Sequence, residues 1–148
     1  MRPLPELTPN NDWYWTSGED GQLRIQRCDD CATYVHPPAP ICPACRSRNW
    51  TATPVSGVGT VAGFTVNSHQ WLPSMEPPYV IAVVSLAEDP EVRITSNITG
   101  CDSGDVHVGQ EVRVRFEHQD DVWFPLFEPT GATNDNPIPP AQRLTPRP

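Results

Sequence analysis

Two cysteine pairs, Cys28-Asp29-Asp30-Cys31 and Cys42-Pro43-Ala44-Cys45, stand ten residues apart. Four thiolates at this spacing suit one tetrahedral Zn²⁺, so the first third of the chain is expected to fold around a metal. Every ligand position is Cys, which leaves no open coordination site for catalysis. The expected role is therefore structural, with a rubredoxin-type iron and electron transfer as the rival. Two disulfides are the other alternative, and they need an oxidising compartment. The start, Met1 to Glu6, lacks the apolar run of a signal peptide, and no stretch is apolar enough to span a membrane. Reduced, cytoplasmic thiols are the expectation. Cys101 is left over and has no recognisable base beside it, so it reads as a small buried residue.

The residues around the pairs support a ribbon. Leu23 to Arg27 alternates apolar and polar on the way into the first pair, and Thr33 to His36 leads out of it. Strand, knuckle, strand over residues 23–52 is the layout of a zinc ribbon. A Gly after the second Cys eases each knuckle turn, but these positions hold Ala32 and Arg46. Arg27, Arg46 and Arg48 can offset the net −2 of a tetrathiolate site. Residues 1–22 read as an extended arm containing a short aromatic helix at Asp12-Trp13-Tyr14-Trp15. Those aromatics either cover the metal module or meet a partner.

After Trp50 the pattern becomes a run of strands. They are expected at residues 56–66, 79–86, 91–98, 111–117 and 122–127. On the fourth, Val112, Val114 and Phe116 should point inward, with Arg113 and Arg115 outward. Five strands with a connector between the third and fourth predict a Greek-key barrel of OB type over residues 53–129. Residues 130–148 are Pro-rich and read as a tail. The expected fold class is mainly β: a rubredoxin-like zinc ribbon, then a five-stranded OB-fold barrel, with extended terminal arms.

Charge narrows the function. The net charge is −8, and all ten basic residues are Arg. An acidic surface is repelled by phosphate backbones, and a chain without Lys has no lysine on which to form a Schiff base. His36, His69, His107 and His118 are scattered, with no nucleophile beside them. Arg93, Arg113 and Arg115 should share an outward face, solvated or facing an anionic cofactor. The loop at 69–78 carries Trp71, Leu72 and Met75, which is too apolar for a solvated loop of that length. Phosphate loops, paired catalytic carboxylates and Ser/His/Asp arrangements are not recognisable. These residues point to a non-catalytic binding or assembly module.

The chain resembles the zinc-ribbon/OB-fold family called domain of unknown function thirty-five, the acyl-CoA-associated OB-fold proteins. The resemblance runs from about Pro3 to Pro129. It rests on the aromatic N-terminal segment, Gly21 to Cys28, Pro37-Pro38 to Cys45, Ser56 to Val61, Pro78-Tyr79-Val80, Gly109 to Val112 and Phe124 to Pro129. It departs at Ala32 and Arg46. The resemblance implies an accessory subunit of a thiolase-superfamily enzyme, with the catalytic residues in the partner. Partners in such complexes include thiolases, hydroxymethylglutaryl-CoA synthases and retro-aldolases that shorten steroid side chains; other members are fused to hydratases. A steroid side-chain aldolase is the leading expectation, with help in enclosing the acyl-CoA. The expected metal ligands are Cys28, Cys31, Cys42 and Cys45. Trp13, Trp15, Trp71, Leu72, Met75, Tyr79, Phe124 and Phe127 are the candidate partner or acyl-CoA contacts. The alternatives are a thiolase or synthase complex, a stand-alone acyl-CoA carrier and an OB protein that binds single-stranded nucleic acid.

Overall fold

The computed structural model describes residues 1–131, so the expected tail from residue 132 onward lies outside the described residues. A short helix, α1 (Asp12–Thr16), and a 3₁₀ turn (Gly18–Asp20) precede the strands. β1 (Arg24–Cys28), β2 (Tyr34–Val35) and β3 (Trp50–Pro54) form an antiparallel sheet in the order β2-β1-β3. Then come β4 (Val58–Asn67), β5 (Tyr79–Leu86), β6 (Arg93–Ile98), β7 (Glu111–Gln119) and β8 (Val122–Pro129). These five close into a barrel in the order β4-β5-β6-β8-β7. The β6–β8 contact is parallel, at Ile98 and Phe127, and the other barrel pairings are antiparallel.

Alternation explains the barrel strands. Val80, Ala82, Val84 and Leu86 of β5 are buried, and so are Ile94 and Ile98 of β6. Side chains two apart share a face of a strand, so these rows fill the interior. Phe127, Val61, Val84 and Val112 are wholly buried there. The same apolar cluster takes in Tyr14, Leu23, Ile25 and Val55. The ribbon has too little apolar mass for a core of its own, and it borrows one by seating β1 and α1 against the barrel.

Two expectations need correction. On β7 only Val112 is fully buried, while Val114 and Phe116 are half-buried. The 3₁₀ turn packs there so closely that a Cβ on Gly18 would lie 2.6 Å from the Phe116 ring. The three arginines also do not share a face. β8 lies between β6 and β7, so Arg93 is separated from the other two. Arg113 is drawn against the buried Glu128, with Nε 3.3 Å from Oε1, and Arg115 Nη1 stands 3.7 Å from Oε2. Glu128 is buried on the outer face of β8, opposite in direction to Phe127, and the two guanidiniums offset its charge there.

Arg2 fastens the start of the N-terminal arm to the barrel. The Arg2 N–H donates to Gln119 Oε1 (2.8 Å), and Gln119 Nε2 donates to the Arg2 carbonyl (2.9 Å). The Arg2 guanidinium donates to Asn97 Oδ1 (2.5 Å) and Glu117 Oε1 (2.9 Å).

Candidate metal centre and interaction surface

The fold brings all four sequence-predicted ligands together. Their Sγ atoms lie within 4.8 Å of one another, with Cys28–Cys45 at 3.5 Å and Cys31–Cys42 at 3.6 Å. A tetrahedral ion with metal–sulfur bonds near 2.3 Å needs sulfurs about 3.8 Å apart, so the cage fits. The same cage would also accept iron.

The two knuckles have one geometry. The N–H of Cys28 donates to the carbonyl of Thr33, and that of Cys42 donates to the carbonyl of Ser47, each at 2.9 Å. The N–H of Ala32 and of Arg46 returns to the carbonyl of Cys28 and of Cys42, again at 2.9 Å. Ala32 (φ 62°) and Arg46 (φ 63°) hold the left-handed conformation that Gly would take more cheaply. Cys31 Sγ and the Thr33 hydroxyl lie 3.1 Å apart, within hydrogen-bond reach. Asp30 ties the knuckles together through Ser47 Oγ and Asn49 Nδ2.

The candidate contact residues fall into three groups. Trp71 is 70% exposed on the β4–β5 loop, held by Nε1 donating to Asn67 Oδ1 (2.9 Å), with Leu72 exposed beside it. Trp15, Met75, Tyr79 and Phe124 line one groove of about 340 Å³, bounded by Arg2 and Ile81. Trp13 lies apart, half-buried against Trp50 with ring centroids 5.4 Å apart. Phe127 is corrected: its side chain is wholly buried in the core and cannot touch a partner. Phe124 is nearly as enclosed, but its ring meets Trp15 and forms part of the groove wall.

Sequence reasoning missed three exposed apolar residues of the β4–β5 hairpin. Phe64, Val66 and Ile81 are exposed near the same loop. Their alternation reads as core, and only the length of β4 signals that the hairpin outruns the barrel. His36 is enclosed beside Tyr14, and burial pushes its pKa down to about 4. Burial also raises the Cys101 thiol, aided by Asp105 and Asp102. Among the described residues no helix is long and apolar enough to cross a membrane.

Comparison with known proteins places this architecture. A family model described as the ChsH2 rubredoxin-like zinc ribbon domain matches residues 15–51, and one described as the ChsH2 C-terminal OB-fold domain matches 52–117. A DUF35 domain-containing scaffold protein of Methanothermobacter thermautotrophicus is 33% identical over 110 residues, covering 68% of this chain and 79% of that one. The chain belongs to the DUF35 family. A solved DUF35 structure, the Ltp2-ChsH2(DUF35) aldolase, matches with a TM-score of 0.78 at 32% identity, covering 85% of this chain and 98% of the matched chain. The 3-oxo-4,17-pregnadiene-20-carboxyl-CoA hydratase alpha subunit of Mycobacterium tuberculosis is 31% identical over 125 residues, covering 84% of this chain and 39% of that subunit. The chain thus spans about 40% of the length of the hydratase alpha subunits it matches.

Proposed function

We propose that this chain is a non-catalytic accessory subunit of a heteromeric enzyme that acts on acyl-CoA. The enzyme is read as a thiolase-superfamily retro-aldolase that cleaves a steroid side-chain acyl-CoA, and the ion in the cysteine cage as a structural Zn²⁺. The observation that carries the reading is the likeness to a chain of the Ltp2-ChsH2(DUF35) aldolase, 98% of which is covered at a TM-score of 0.78. Exposed Trp71 and Leu72, which a monomer has no reason to present to water, support it. Zinc suits the role because a closed tetrathiolate site fixes the ribbon and does no chemistry.

The groove walled by Trp15, Tyr79 and Phe124 favours a second contribution, the enclosure of the acyl or pantetheine part of the substrate. The test of the main reading is the activity of the partner subunit purified with and without this chain. Loss of aldol cleavage or of solubility without the chain is expected, and full activity of the partner alone would overturn the reading. Calorimetry of acyl-CoA against the isolated chain separates assembly from a stand-alone carrier, since a carrier would bind on its own.

A further inference from the structure

The β4 strand is paired along one edge only for half its length. It runs beside β5 from Gly59 to Asn67, with a bulge between Val61 and Gly63. On its other edge it meets β7 only from Val58 to Thr60. Val61 closes that ladder, its N–H donating to the Gln110 carbonyl (3.0 Å) and its carbonyl accepting from the Gly109 N–H (2.8 Å). Past the bulge, bond direction follows from β5. Leu86 N–H donates to the Val92 carbonyl, so even-numbered β5 residues face β6 and odd-numbered ones face β4. Tyr79, Ile81 and Val83 therefore bond their partners Asn67, Thr65 and Gly63. The backbone groups of Phe64 and Val66 point the other way, with no strand against them among the described residues. Their side chains are each 38% exposed.

Proteins shield such edges with charge, Pro or a covering element. This one carries none of those on the strand. From Arg48 to Glu76 no Asp, Glu, Lys or Arg intervenes, and β4 contains no Pro. The surroundings are the opposite: Asp102, Asp105 and Glu111 are exposed on the connector and strand that end the β7 ladder, and Glu76 is exposed in the loop beyond. A second copy would bring two such acidic rims together on chains that each carry −8. The C-terminal residues are poor strand formers, with Pro137, Pro139, Pro140, Pro146 and Pro148 lacking the N–H a ladder requires.

We propose that the free edge of β4, from Ala62 to Val66, takes an added strand from the partner subunit. That strand is extended, uncharged where it pairs and flanked by Arg or Lys that meet the acidic rim. Main-chain hydrogen bonds supply affinity in this mode, and alternate side chains supply specificity. The inference rests on the accessory-subunit reading and names where the partner attaches.

Residue-resolved amide exchange on the full chain tests it, alone and in complex with the thiolase-superfamily subunit that co-purifies with it. In the isolated chain the Phe64 and Val66 amides exchange freely while those of Thr65 and Asn67 are protected. In the complex Phe64 and Val66 should slow about 100-fold, the scale of an amide newly locked in a ladder. A Phe64→Pro/Val66→Pro variant, which takes away no N–H used by β5, should bind about tenfold more weakly with its metal content unchanged. A complex in which Phe64 and Val66 still exchange freely overturns the edge and leaves the accessory role standing. Failure of any such subunit to co-purify overturns both. Protection in the isolated chain that rises with concentration, or vanishes when residues 132–148 are removed, overturns the choice of occupant.

Discussion

Gln26 and Ala39 are joined by two hydrogen bonds: Gln26 Nε2 donates to the Ala39 carbonyl (2.7 Å), and the Ala39 N–H donates to Gln26 Oε1 (2.9 Å). Gln26 is only 2% exposed, on the central strand of the ribbon. Its amide acts as a surrogate strand for the Pro-rich return that carries Cys42 toward Cys28. Replacing it by Leu removes both bonds and should cost about 2 kcal/mol. Chemical denaturation and the rate of metal loss to a chelator check this. An unchanged release rate would mean the cage forms without the tie.

The knuckle positions predict a gain. Ala32 sits in a left-handed turn with φ 62°. Ala32→Gly should stabilise the folded state by about 0.5–1 kcal/mol, the relief of the Cβ clash less the extra freedom of the unfolded chain. Arg46→Gly should gain less, because it also withdraws a positive charge beside the thiolates. Melting of both variants in the metal-loaded form ranks them.

Glu128 is a buried carboxylate that faces Arg113 and Arg115. Glu128→Gln keeps the shape and removes the counter-charge. It should destabilise the barrel by about 3 kcal/mol, measured by urea unfolding. Metal content should not change, since the cluster lies on the barrel and not in the ribbon.

His36 makes stability depend on pH. Burial lowers its pKa to about 4, while the unfolded chain takes up this proton below about 6.5. The neutral form is the one the fold accommodates, so its contribution is complete above pH 6.5 and falls away as pH drops toward 4. The loss approaches about 3 kcal/mol at the acid end of that window. A His36→Phe variant should lose less stability than the parent between pH 6.5 and 5 at matched metal occupancy. Parallel curves would show that His36 does not carry the effect.

Much of this molecule was legible in the chain because alternation and spacing are local properties. The cysteine pairs brought four ligands to one point, and the Val-rich run at Tyr79–Leu86 became β5 without a shift. What failed to show was set by distant contacts. Nothing around Arg2 announces Gln119, Asn97 and Glu117 as its partners. Arg113 reads as a solvated residue until β8 places Glu128 against it. Phe127 reads as a surplus aromatic, yet the parallel contact at Ile98 buries it. Phe64 and Val66 look like core because nothing local tells a strand where its neighbour stops.

The central claim is that this chain works only as part of a heteromeric enzyme. The direct measurement is native mass spectrometry of the chain, tagged and expressed at its natural level, after gentle purification from its own cell. The account predicts a stoichiometric complex with a thiolase-superfamily subunit, with one Zn²⁺ for each 16.4 kDa chain. A metal-loaded monomer with no enzyme attached would contradict it.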